Sequence, residues 1–134
     1  MKIRDLQVVG YSDEEGNLMS KGIELYKNFI DGLVARKNSI YSKWILGDGY
    51  PDVEENKLVN EFLNSLTNEQ KEILAKIVQD SREDGIHDTL AYINEMIECA
   101  GLTLSQDGEN FICNEFDSMH FDFVCRCEGD EWPE

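Results

Sequence analysis

Basic residues are the first shortage in this sequence. Lys and Arg number 12 against 28 Asp and Glu across 134 residues, a formal charge of −16. Binding by phosphate neutralisation needs a basic footprint, so nucleic acid is not an expected partner. Long hydrophobic runs are missing as well. No stretch reaches the roughly 18 apolar residues of a membrane span, and Met1–Gly10 lacks an apolar run of signal-peptide length. A membrane is therefore not an expected partner, and the expected compartment is the cytoplasm.

Signatures of catalysis are equally scarce. Only two histidines, His87 and His120, are present to act as a general base. The sequence has no G-x-S-x-G elbow and no H-E-x-x-H motif. Gly47-Asp48-Gly49 lacks the spacing and the Lys-Ser/Thr end of a phosphate-binding loop. No cofactor is expected. Four cysteines (Cys99, Cys113, Cys125, Cys127) could in number fill a zinc site, but structural zinc ligands come as two close pairs. Only Cys125 and Cys127 are close, so no metal site is expected. Reduced thiols on a buried apolar face are the simpler reading.

What remains is enough for one core. Hydrophobic residues make up 41% of a chain whose length suits a single domain, 1–134. Lys2 to Tyr11 is ambiguous between strand and arm, and Asp13–Asn17 is a turn. From Ser20, a candidate N-cap, the stripe Ile23, Tyr26, Phe29, Ile30, Leu33 and Val34 predicts a helix to about Lys37. Ile40 to Asp52 predicts a helical turn and a tight loop, with Asp52 capping the next helix. That helix carries Val53, Leu58, Val59, Phe62, Leu63 and Leu66.

Thr67-Asn68-Glu69-Gln70 has the form of a capping box, so a third helix starts there with Ile73, Leu74, Ile77 and Val78 inward. Gly85 should stop it. A fourth helix then carries Ile86, Leu90, Ile93 and Ile97. Beyond Gly101 the period falls to two. Asp107-Gly108 is a hairpin turn between Leu102–Leu104 and Asn110–Cys113. His120 to Cys127 alternates Phe121, Phe123, Cys125 and Cys127 with polar positions, predicting a third strand. The expected architecture is α+β, with about four helices followed by a small C-terminal antiparallel sheet.

Three segments carry a resemblance. Lys43–Pro51 (KWILGDGYP), Gly85–Tyr92 (GIHDTLAY) and Gly129–Glu134 (GDEWPE) together resemble a family of small uncharacterised acidic bacterial proteins. The resemblance covers most of the chain and implies no activity.

Charge is distributed unevenly. Residues 1–50 carry seven basic and seven acidic residues, and residues 51–134 carry five against 21. The last stretch, 107–134, holds nine carboxylates and one Arg. A solvated, solubilising surface is one reading. The other is a docking face for a basic protein, as in an inhibitor or immunity-type protein. Asp117, Asp122, Glu128, Asp130, Glu131 and Trp132 are the candidate partner-binding residues. Trp44, Asp48 and Tyr50 form a candidate ligand loop, or else a turn that packs its aromatics. The competing class is a small enzyme or ligand- or metal-binding protein using the Asp80–Asp88 cluster (Asp80, Glu83, Asp84, His87, Asp88). The histidine shortage and the expected break at Gly85 weigh against it.

Overall fold

A computed structural model describes residues 19–134. The expectations for Lys2–Tyr11 and Asp13–Asn17 lie outside the described residues. Five α-helices dominate the described residues. Helix α1 includes residues 19–34, so Ser20 is a helical residue rather than the expected cap. Its end tightens into i→i−3 bonds, with the Arg36 and Lys37 amides donating to Leu33 and Val34. Helix α2 is Ile40–Leu46, and the Ser39 hydroxyl caps it by accepting from the Ser42 amide. Gln79 holds the α1–α2 corner, accepting from the Ser39 amide at 2.8 Å and donating to the Lys37 carbonyl at 2.9 Å.

Helix α3, Lys57–Asn64, follows a 3₁₀ turn at Glu54–Asn56. Val53 and Asn56 occupy the two cap positions without a side-chain bond, so Asp52 is not the expected cap. Helix α4 is Asn68–Ala100, opened by the Thr67–Gln70 capping box and closed by Gly101 at φ 73°. Its 33 residues make a rod about 50 Å long.

The predicted stop at Gly85 does not occur. A helix-interior glycine costs only about 1 kcal/mol relative to Ala, and the stripe after it keeps packing. A Cβ at Gly85 would meet nothing within 4 Å. We therefore expect Gly85→Ala to stabilise the protein by about 0.5–1 kcal/mol. A raised Tm in thermal denaturation would show it, and an unchanged or lowered Tm would refute it.

Asp107 (φ 52°) and Gly108 (φ 81°) form the predicted turn, both in the left-handed region that such hairpins need. The ladder is short. Strand β1, Ser105–Gln106, pairs antiparallel with β2, Glu109–Asn110. The chain then leaves the ladder, and the Ile112 amide donates to the Gly22 carbonyl of α1 at 3.0 Å.

The third strand is not there. Met119–Cys127 is helix α5, capped by Ser118 and by Asn94 of α4, whose side chain accepts from the Met119 amide at 3.0 Å. The sheet thus precedes a final helix. Met119, Phe123 and Cys127 satisfy a spacing of four, and Phe123 and Cys127 satisfy the spacing of two as well. That overlap produced the misleading alternation. Phe121 is exposed and Asp122 buried, the reverse of the strand expectation.

Two apolar clusters share α4. The first joins Tyr26 and Ile30 of α1, Leu90 of α4, and Met119 and Phe123 of α5. The second joins Ile45, Leu63 and Ala75 from α2, α3 and the start of α4. None of the four cysteines is buried: Cys99 is exposed, and Cys113, Cys125 and Cys127 are half-buried. Their expected place on one buried face is corrected accordingly. Among the described residues no helix is long and apolar enough to cross a membrane.

Candidate functional site

Because α4 continues through Gly85, the carboxylates of Asp80, Glu83 and Asp84 and the imidazole of His87 ride one helix. Helix α5 packs across that part of α4. Its C-terminal turn brings Glu128 and Cys127 opposite, closing a cleft of about 500 Å³ with Phe123 and Val124. No Lys or Arg is among its lining residues in the described part of the chain, although Lys37 Nζ donates to the Cys127 carbonyl at 2.9 Å. Asp80 is ion-paired with Lys76 one turn back, and Glu83 accepts from Gln79 Nε2 at 3.1 Å. Asp84 and Glu128 have no ion-pair partner among the described residues.

The histidines meet at this interface. Their rings lie edge to face with centroids 5.2 Å apart. His87 Nδ1 sits 3.0 Å from Asp88 Oδ1, and His120 Nε2 sits 3.3 Å from Ser118 Oγ. A Cys–His pairing in the cleft would need a ready thiolate. Burial instead pushes the Cys127 thiol up, Lys37 only partly offsetting it. No group of three or more His, Cys, Asp or Glu among the described residues is placed to hold a metal ion.

The six C-terminal candidates separate. Glu128, Asp130 and Glu131 are exposed, as is Asp117, whose carboxylate accepts from the Ser118 amide at 2.9 Å. Asp122 is only 6% exposed and accepts the Tyr26 hydroxyl at 2.5 Å. It belongs to the core. Trp132 is half-buried against Tyr26 and Phe116, and its Nε1 donates to Asp31 Oδ2 at 3.1 Å. Arg126 clamps the same Asp31 through Nε and Nη2. Asp122 and Trp132 therefore fix α5 and the C-terminal segment to α1.

The loop candidates separate too. Asp48 and Tyr50 line a second small cleft with Asn60, whose side chain brackets the Tyr50 backbone with two hydrogen bonds. Trp44 is not among its lining residues. It packs on Tyr41 and Tyr50, which stack with each other at 5.4 Å.

One concavity escaped the sequence. A trough of about 760 Å³ runs between α1 and α4, walled by Phe29, Leu33, Ile77, Ile86 and Ile93, with Tyr41 at one end. Ile73 and Ile77 were expected inside, yet they are 62% and 59% exposed. The available signal was an apolar stripe on α4 wider than one neighbour could cover.

A family model matches residues 19–134, from α1 through the C-terminal segment. The chain belongs to the family of unknown function DUF6547. Both helices that wall the acidic cleft lie within the DUF6547 match. No curated protein and no solved structure matches the chain.

Proposed function

We propose that the protein is a non-catalytic binding module that receives a basic protein partner along the acidic side formed by α4 and the end of α5. One observation carries this reading. Asp80, Glu83, Asp84 and Glu128, which lie up to 48 positions apart in sequence, line one cleft with no Lys or Arg among its described lining residues. The two cations at its edge, Lys76 on Asp80 and Lys37 on the Cys127 carbonyl, leave Asp84 and Glu128 without an ion pair among the described residues. A concave acidic surface concentrates field lines and favours an inserted Lys or Arg side chain. Asp130 and Glu131, exposed in the segment that follows α5, add negative charge just after Glu128 in the chain. An inhibitor covering a basic substrate cleft is the kind of activity this surface suits. The Cys127 thiol, raised by its burial, offers no ready nucleophile in the same cleft.

The test compares two triple variants with equal change in net charge. The partner is captured from the native cell at low salt and purified. Its association kinetics are then measured against Asp80→Asn/Asp84→Asn/Glu128→Gln and against Glu69→Gln/Glu72→Gln/Glu98→Gln. The cleft variant should slow association at least tenfold and flatten the salt dependence, while the control stays close to wild type. Equal losses from both sets would reduce the effect to net charge and refute a localised docking face.

A further inference from the structure

The trough between α1 and α4 carries an inference that goes beyond the acidic side. We propose that it is a self-association site, in which α3 of a second copy of this chain lies against α1 and α4. The arrangement is reciprocal, each copy giving α3 and receiving one.

The receiving surface is apolar and positive. Its α4 wall runs from Ile77 to Ile93, about 24 Å of helix, and the side of the α1–α4 pair that it occupies is left open by α5. Arg36 and Arg82 are the only charged residues lining it among the described residues. In a chain with 28 acids and 12 bases, a surface whose described lining holds two cations and no carboxylate favours an acidic occupant. Gly85 sits in its lining and leaves open space where a side chain would project.

The chain itself displays the matching element. Most of the large apolar residues left exposed among the described residues lie between Ile40 and Ile77. On α3, Leu58 is 79% exposed and Phe62 54% exposed, one helical turn apart. Glu54, Glu55 and Glu61 flank them, all exposed, against the single Lys57, so the segment 54–64 is net negative. The 3₁₀ turn and α3 together span residues 54–64, roughly 16 Å, which fits within the length of the trough.

Exposed apolar surface of this kind marks an interface rather than a solvated face. The trough is open along its length, whereas a small ligand is usually enclosed over most of its surface. A reciprocal pairing closes on itself, as two-fold dimers do, and gives no open fibre. It would also place two acidic clefts on one particle.

Sedimentation equilibrium of the whole chain at physiological ionic strength tests the pairing. Wild type should show a concentration-dependent dimer. Phe62→Lys removes the inserted ring from an already exposed position, and Gly85→Leu fills the trough where nothing obstructs the new side chain. Each should weaken dimerisation at least tenfold while circular dichroism shows unchanged helix content, and Arg36→Glu should do the same by reversing the rim charge. Mixing Phe62→Lys with Gly85→Leu is the decisive arm. One intact α3 then meets one intact trough, so the mixture should form a heterodimer that neither variant forms alone. A wild-type monomer throughout the concentration range, or a dimer that survives both single variants, would overturn the proposal. So would a mixture that stays monomeric, or saturable uptake of a fatty acid by the trough in place of dimerisation.

Discussion

Replacing Tyr26 by Phe is expected to cost about 2–3 kcal/mol, because a buried carboxylate loses its best donor. Tyr26 is fully buried, and its hydroxyl donates to Asp122 Oδ2 at 2.5 Å. The other oxygen of Asp122 has only the Asp117 amide at 3.3 Å. Adding Asp122→Asn to the Phe variant should recover part of the loss, since a neutral amide is cheaper to bury than a charge. Urea denaturation of the two singles and the double would give the coupling. Additive losses would show that the pair does not act together.

The pH dependence of this pair has a definite sign. Burial holds the Asp122 carboxyl above the usual range, and the bonds from Tyr26 and Asp117 only partly pull it back. A carboxyl raised in the folded state binds its proton more tightly there than in the unfolded chain. Its contribution is therefore complete below the unfolded value of 3.8 and is lost as pH rises through the folded value. Removing the Tyr26 hydroxyl raises that folded value further, so the deficit of the Phe variant should shrink in acid. Tyr26 behaves alike at the alkaline end. Burial, then the Asp122 hydrogen bond, hold its phenol well above the ordinary 10.0. Wild-type stability should fall as pH climbs past that value, a slope that Tyr26→Phe removes. Parallel stability profiles of the two proteins from acid to alkali would sink this account.

Gly22→Ala is expected to destabilise by about 1–3 kcal/mol, although Ala is the better helix former. Gly22 is buried in α1 under the segment that follows the hairpin. A Cβ there would sit 2.7 Å from the Asn110 carbonyl oxygen and 2.8 Å from Ile112 Cγ1. The first of these is backbone and cannot swing aside. The Gly22 carbonyl also accepts from the Ile112 amide, so moving the strand away breaks a hydrogen bond that the helix contributes. The propensity gain of about 1 kcal/mol is the smaller effect, and the clash wins. Thermal denaturation should show a lowered Tm, and a Tm at or above wild type would mean that the hairpin segment adjusts freely.

Gly22 and Gly85 show how much of this fold was legible. Both are single glycines inside helices, yet the sequence pointed only at Gly85, as a stop, and gave no sign of what Gly22 touches. In the structure one is a contact point for backbone and the other opens onto the trough. The sign of an alanine substitution depends on neighbours dozens of positions away. Signals confined to a few residues read well: the Thr67–Gln70 capping box, the Asp107-Gly108 turn, and the Tyr26–Ile30 stripe. Signals that depend on long-range packing did not. Gly85 looked like a stop because its local cost was visible and the continuing stripe from Ile86 to Ile97 was assigned to another helix. Asp80, Glu83, Asp84 and His87 were recognisable as a cluster. The arrival of Glu128 beside them required Met119–Cys127 to be a helix lying on α4, and no local pattern announced that.

The two apolar clusters joined by α4 differ in size, and that difference sets how the molecule opens. The Tyr26–Phe123 cluster is closed by partners about a hundred positions apart, including the Tyr26–Asp122 bond and the Arg126 and Trp132 bonds to Asp31. The Ile45–Leu63–Ala75 cluster has three buried members, with the partly buried Tyr50, Leu66, Leu74 and Val78 packed on it, and α2 and α3 leave Ile40, Leu46, Leu58 and Phe62 exposed. Sub-global opening is therefore cheapest at the α2–α3 end. The first turns of α4 should fray with it, and backbone amides around Leu90 are expected to exchange with solvent only through global unfolding. One continuous helix thus spans a gradient from a labile end to a slow-exchanging one.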